Sequence, residues 1–164
     1  LYAGIMVDTK DFSMKTGVRT FEAAAYLKRC GVNISEIKKY FRNDFNSYVL
    51  ISKIVSDAEI VRDNIAISQI KTANGADMRT LAAQAADKLI SISGIEASFV
   101  IVEDESEISI SGRSGGNINV QVILEKLGGG GHQTIAGAQI KNLSVEEVKE
   151  KLLAEISQYF AEQE

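Results

Sequence analysis

Four consecutive glycines, Gly128-Gly129-Gly130-Gly131, followed at once by His132, constrain this chain more than any other feature. Backbone without Cβ atoms can take φ > 0 and lets another segment or a ligand come close. Just ahead, Val120, Ile123, Leu124 and Leu127 stand at i, i+3, i+4 and i+7, the spacing of an amphipathic helix. One or two of the glycines can therefore do no more than end that helix, since glycine is common at the C′ position. The others form a loop whose peptide N–H groups can converge on an anion.

The pattern around the loop predicts an α/β fold. Residues 58–67 read as a strand, and Asp77 opens an alanine-rich helix from 78 to about 91 whose Leu81–Ala86 stretch suits close helix packing. Ser98-Phe99-Val100-Ile101-Val102-Glu103 is a continuous apolar run, hence a buried strand. Glu105-Ser106 is a turn, and Glu107–Ser111 alternates as its hairpin partner. Ala136–Lys141 forms another strand, and Ser144-x-x-Glu147 has capping-box spacing for a last helix burying Val145, Val148, Leu152, Ile156 and Phe160.

Upstream, residues 4–8 read as the end of a buried strand closing on Asp8. Thr20 caps a helix through Phe21, Ala24, Ala25 and Leu27, and Asn33 with Glu36 caps a second over 34–42. Residues 46–56 form a connecting helix. Two helices and a strand end are too little for an independent domain, so 1–45 reads as the tail of a preceding one. The opening Leu1-Tyr2-Ala3 has no initiator methionine and reads as the interior of an element, which predicts a piece of a longer protein.

In a strand, Ser109, Ser111 and Arg113 share one face while Ile108 and Ile110 face the core, with Gly112 allowing close approach. A guanidinium suits phosphate because its planar fork makes two parallel charge-assisted hydrogen bonds. His132 can stack on a base, donate to a phosphate oxygen or act as a general acid, and nothing in the sequence chooses among these. Arg113, the glycines and His132 together describe a pocket for a phosphorylated, base-bearing ligand. Asn117 and Asn119 are placed to cap the helix between them and the loop. Asp8 is a lone carboxylate that cannot hold a metal pair by itself, and Lys10 and Arg19 read as solvated.

With 45% hydrophobic residues, the 164-residue chain can bury a proper core. A net charge of −4 argues against a broad nucleic-acid surface, but not against a small nucleotide pocket. The single Cys30, expected to pack at the back of a helix, rules out an internal disulfide and favours a reducing compartment. No stretch has the length of a membrane span, and the absence of proline leaves turns to Gly, Asn, Asp and Ser.

Gly128–His132 after Ser111-Gly112-Arg113-Ser114 resembles the DHH-associated domain of the DHH phosphoesterase superfamily, which includes RecJ-type exonucleases, nano-RNases and cyclic-dinucleotide phosphodiesterases. The segment Gly4–Phe12 resembles the last motif of the DHH domain, whose aspartate ligates manganese. Thr16–Ala24, Glu96–Ile101 and Asn117–Ile123 are similar to the cyclic-di-AMP phosphodiesterases, membrane-anchored bacterial proteins with sensory domains upstream.

The resemblance implies a compact mixed-sheet DHH-associated domain at 58–164, a connecting helix at 46–57 and the remnant of a DHH domain at 1–45. It implies substrate binding by Ser111, Arg113, Ser114, Gly128, Gly129, Gly130, Gly131 and His132, a catalytic role for His132, and Asp8 as a ligand to one of two manganese ions in the parent. The parent reaction would be hydrolysis of cyclic-di-AMP to the linear dinucleotide at the cytoplasmic face. The Asp-His-His motif is missing, so the isolated segment is expected to be inactive and to need the rest of the DHH domain as partner. A nano-RNase or RecJ-like fragment acting on short oligonucleotides, and a non-catalytic nucleic-acid-binding module, are the competing readings; homodimerisation is left open.

Overall fold

Tyr2 and Met6 are the buried positions of the first segment, and a four-residue interval belongs to a helix. The computed structural model, which describes residues 1–62, 64–71, 75–104 and 107–163, accordingly has helix α1 at Tyr2–Asp8 where the apolar run suggested a strand end. A short apolar run does not distinguish the two; here Val7 stays exposed, which a buried strand would not allow. The chain divides into two units, Leu1–Asp44 and Phe45–Glu164.

In the first unit, α2 (Val18–Arg29) packs Ala24 against Tyr2 and Met6. Its N-cap is Gly17; Thr20 stands at N3, where its hydroxyl accepts the Gly17 N–H at 3.3 Å, so Thr20 braces the helix start from inside. Asn33 caps α3 (Ile34–Lys39) by accepting the N–H groups of Ser35 and Glu36, and the helix stops three residues short of the expected end. Cys30 is exposed at the end of α2, not packed behind it. After α1 the backbone turns through three left-handed non-glycine residues, Lys10, Asp11 and Phe12. Thr9 braces that turn: its hydroxyl donates to the Ile5 carbonyl at 2.6 Å and accepts the Phe12 N–H at 3.0 Å.

The second unit begins with α4 (Phe45–Ser56). The segment expected as one strand over 58–67 is two antiparallel strands, β1 (Glu59–Val61) and β2 (Ile65–Lys71). Arg62 takes a φ of 50° between them, a left-handed conformation that a continuous strand cannot contain. Helix α5 (Gly75–Ile90) begins ahead of Asp77, whose side chain lies outside the described residues, and crosses over to β3 (Ala97–Glu103), parallel to β2. Next come β4 (Ile108–Ser114), α6 (Val120–Glu125), β5 (Gly130–His132), β6 (Ile135–Ile140) and α7 (Val145–Ala161). The expected turn at Glu105-Ser106 lies outside the described residues. The strands form one mixed sheet in the order β1-β2-β3-β4-β6-β5, with β2–β3 its parallel pair.

Each face of the sheet has its own core. Phe99, Ile101, Ile110 and Ala138 meet Val120, Ile123 and Leu124 of α6 and Val148, Leu152 and Ile156 of α7. On the other face, Ala66, Val100 and Val102 meet Ile51 and Ile54 of α4 and Met78, Ala82, Ala85, Ala86 and Leu89 of α5. The alanines let α5 lie close to both α4 and the sheet. The hydroxyls buried there are satisfied by helix carbonyls: Ser68 donates to Ile54 at 2.6 Å and Ser98 to Ala86 at 2.8 Å.

Helix α7 carries the expected capping box. Ser144 accepts the Glu147 N–H, while the Glu147 carboxylate accepts the Ser144 N–H at 2.7 Å and its hydroxyl at 2.9 Å. Those bonds hold the Glu147 carboxyl below the usual glutamate range. The Tyr159 hydroxyl accepts the Asn119 N–H at 2.9 Å, tying α7 to the start of α6, where the Asn119 side chain caps Gln121 and Val122.

Candidate functional site

Helix α5 covers β3 and the near side of β4, α4 lies on β2, and the β6–β5 edge of the same sheet face is left open. The register places Ser109 opposite Gln139, Ser111 opposite Gly137, and Gly137 opposite Gly130, so these residues share that face. The row Ser111–Gly137–Gly130 carries two glycines, and the missing side chains leave a trough. It is a cleft of about 520 Å³, lined by Arg79, Ser109, Ser111, Gly128, Gly129, Gly130, Gly137 and Gln139.

The four glycines of the loop have separate jobs. Gly128 has a φ of 78°, and its N–H donates to Glu125 while the Gly129 N–H donates to Leu124. That pair of bonds around a left-handed residue is a Schellman helix end. At Gly129 a Cβ would run into the Gly137 carbonyl oxygen and lie 2.7 Å from the Ala138 Cβ. At Gly131, with φ 150°, a Cβ would meet the Ile135 carbonyl and lie 2.9 Å from the Ala136 Cβ. At Gly130 a Cβ would meet nothing within 4 Å, and φ is not left-handed. The fold favours glycine at three of these positions; only the fourth, Gly130, opens on the cleft with neither a packing nor a backbone reason.

Gly112 belongs to the packing group as well. Its Cβ would lie 3.0 Å from Leu124 Cδ1 and 3.2 Å from Phe99 Cε1, on the helix α6 face. It therefore serves the core and not the approach of a ligand.

One step along the sheet, Arg113 stands opposite Ile135 and Ile135 opposite His132, all on the cleft face. The Arg113 guanidinium is turned toward α5: Nε lies 3.2 Å from the Asp87 carboxylate and Nη1 donates to the Gly112 carbonyl at 2.9 Å. Its side chain is 12% exposed. His132 is exposed, with Nδ1 2.9 Å from the Gly131 carbonyl. A carbonyl only accepts, so that hydrogen bond requires the proton on Nδ1 and leaves Nε2 as the second ring nitrogen for other partners. Ser114 is used locally, its hydroxyl accepting the Gly116 N–H at 2.9 Å.

The structure thus gathers Ser111, Gly128, Gly129 and Gly130 at the cleft and puts Arg113 and His132 in the adjoining row. Gly131 shapes the edge strand, and Ser114 lies past it. Arg79 was not singled out in the sequence; it lines the cleft from α5, with Nη1 2.9 Å from the Glu107 carboxylate. Its only sequence signal is its eight-residue interval from Asp87, which places both on one flank of the helix facing β4. Asp8 is exposed at the end of α1. Among the described residues no three His, Cys, Asp or Glu side chains converge, so these residues do not by themselves fit a manganese pair.

Residues 62–162 match the DHHA1 domain. The chain belongs to the DHHA1 family. It is 43% identical over 162 residues to the cyclic-di-AMP phosphodiesterase GdpP of Bacillus subtilis (strain 168), covering 98% of this chain and 25% of that protein. It is 41% identical over 165 residues to the cyclic-di-AMP phosphodiesterase PdeA of Listeria monocytogenes, covering 98% of this chain and 24% of that protein. The chain therefore spans about a quarter of the length of these curated relatives. Among solved structures, an exopolyphosphatase-related protein from Bacteroides fragilis shares the fold at a TM-score of 0.83 and 20% identity, covering 94% of this chain and 48% of that one. No helix among the described residues of this DHHA1 protein is long and apolar enough to cross a membrane.

Proposed function

We propose that this chain is the substrate-binding part of a manganese-dependent phosphodiesterase that hydrolyses cyclic-di-AMP to the linear dinucleotide, and that the cleft holds the nucleotide. The observation that carries the reading is Gly130, the one glycine of the loop that lines the cleft with both an empty space where a side chain would be and a backbone conformation other residues can adopt. A base laid on the row Ser111–Gly137–Gly130 meets flat backbone and the half-exposed Ile135 beside it. Arg113 and His132, in the next row, are placed for the phosphates and the rim of the base. His132 then acts either by holding the ligand or, in its imidazolium form, by donating a proton at Nε2.

The relatives named as cyclic-di-AMP phosphodiesterases support the substrate class, and the chain's net charge of −4 disfavours a long nucleic-acid strand as ligand. In this reading 1–45 is the tail of a catalytic DHH domain, 46–57 the connecting helix and 58–164 the substrate domain. Asp8 supplies one manganese ligand, with the other ligands contributed from elsewhere in a parent anchored to a membrane and acting at its cytoplasmic face.

Calorimetric titration of the chain with cyclic-di-AMP, linear di-AMP and a short oligo-adenylate tests the proposal. Binding selective for the dinucleotides, and lost in Gly130→Val with thermal unfolding unchanged, is the expected result. Tighter binding of the oligo-adenylate would favour the oligonucleotide reading, and unchanged affinity in Gly130→Val would remove the ligand from the cleft.

A further inference from the structure

Two ion pairs of opposite polarity tie α5 to the strand beside the cleft. At one end the helix supplies the cation, Arg79, and the sheet the anion, Glu107, at 2.9 Å. At the other end the helix supplies the anion, Asp87, and the strand the cation, Arg113, at 3.2 Å. The two pairs differ in their surroundings. Arg113 is nearly enclosed and also bound to the Gly112 carbonyl, whereas the Arg79 side chain is 42% exposed and lines the cleft.

Among the described residues Arg79 is the one cation lining the cleft, and one of its five N–H donors is engaged, by a single Glu107 oxygen. A single-point pair at that exposure is weak, because solvent screens it and two side chains must be held in place. A phosphodiester carries the same single charge as the carboxylate but can present two unesterified oxygens to the guanidinium's planar fork, making two parallel bonds where Glu107 makes one. Close to Arg79 the cleft floor presents the Ser109 and Ser111 hydroxyls, both able to donate to an anionic oxygen. Ser109 and Arg113 are four residues apart along β4, about 13 Å, so an anion at Arg79 is a separate subsite from one at Arg113.

The geometry points to Arg79 as a second phosphate-binding residue of the cleft, held by Glu107 until a nucleotide phosphate takes the carboxylate's place. This rests on the reading of the cleft as the nucleotide site. Glu107 is then a competitor that discriminates against weakly charged ligands, and its loss strengthens binding. That sign is the distinguishing feature of the inference: a pair that merely braced the fold would weaken binding when either member was removed.

The test is calorimetric titration of the 164-residue chain with cyclic-di-AMP, with thermal unfolding of each variant alongside. Arg79→Gln is expected to raise Kd roughly 10- to 100-fold, as loss of charge-assisted bonds does. Glu107→Gln is expected to lower Kd about two- to fivefold, the scale of an exposed ion pair removed as competitor. Arg79→Lys, which keeps the charge and loses the fork, should fall between wild type and Arg79→Gln. If Gly130→Val abolishes binding while Arg79→Gln leaves Kd within about twofold, the Arg79 assignment is overturned and the cleft reading stands. If both Arg79→Gln and Glu107→Gln weaken binding, the pair is structural and the assignment is likewise overturned. If the wild-type chain does not bind, or Gly130→Val binds as wild type does, the cleft reading itself fails and this inference goes with it.

Discussion

Gly129 passes so close to Gly137 that the two backbones share the space a methyl group would need: a Cβ on Gly129 would strike the Gly137 carbonyl oxygen and the Ala138 side chain. The contact seats the glycine loop on β6 and so fixes where the cleft begins. Gly129→Ala is therefore expected to destabilise the protein by about 1–3 kcal/mol, the range for overpacking a well-packed site. Urea unfolding at equilibrium measures it; a change below about 0.5 kcal/mol would mean that the loop can lift off β6 freely.

Its neighbour should behave in the opposite way. Gly130→Ala has room for its methyl group and a permitted backbone, so stability is expected to stay level or rise by about 0.4–1 kcal/mol through the unfolded chain's lost freedom. Dinucleotide affinity should fall in the same variant. A stable protein with unchanged affinity would take Gly130 out of the site.

Arg113 has both a structural and a proposed binding role, and a double-mutant cycle with Asp87 separates them. Because Asp87 is 41% exposed, the coupling in stability is expected to be about 0.2–1 kcal/mol. Arg113→Ala should also weaken dinucleotide binding by about 1.5–3 kcal/mol, while Asp87→Asn, which frees the guanidinium, should not. Equal loss in both variants would make Arg113 a positioning residue for α5 only.

The central strand sets the scale of core effects. Phe99 is fully buried between β4 and the α6–α7 layer, and Phe99→Ala is expected to cost about 3–5 kcal/mol. Thermal unfolding that showed less than about 1 kcal/mol would argue that the α6–α7 layer closes over the gap.

Acid should weaken the cap of the last helix. The Glu147 carboxyl lies below its ordinary range because its charged form accepts two bonds from Ser144. A depressed folded value means the stabilisation is complete above the unfolded value, about pH 4.3, and is lost as pH falls through the folded value. In Glu147→Gln this part of the acid dependence should vanish, read as a flatter unfolding midpoint against pH below about 4.3. An unchanged slope would assign the acid sensitivity to other carboxylates.

The sequence and the structure agree most closely where the signal is periodic or chemically specific. The run Ser98–Glu103, the i, i+3, i+4, i+7 stripe ending at Leu127 and the Ser144/Glu147 box each predict an element that the structure contains, because local pattern and tertiary burial ask for the same thing. Ile5-Met6-Val7 misled because three apolar residues have no period to read, and the bury-or-expose decision came from Ala24 in another helix. Arg62, with its left-handed backbone, breaks a strand that hydrophobicity alone runs through. For the site, glycine content signalled a loop but could not say which glycine faced outward; that depends on β6 coming alongside. Arg79 was illegible for the same reason, since only the crossover of α5 brings it to β4.

Three positions where the fold favours glycine and one where it does not give the loop an unequal evolutionary exposure. Selection for a folded protein alone retains Gly128, Gly129 and Gly131, because each replacement strains or displaces the backbone. At Gly130 it exerts no such pressure. A lineage that kept the fold but abandoned the ligand would let that single position drift while its neighbours stayed fixed, so the residue between Gly129 and Gly131 is a marker for telling working copies from disused ones.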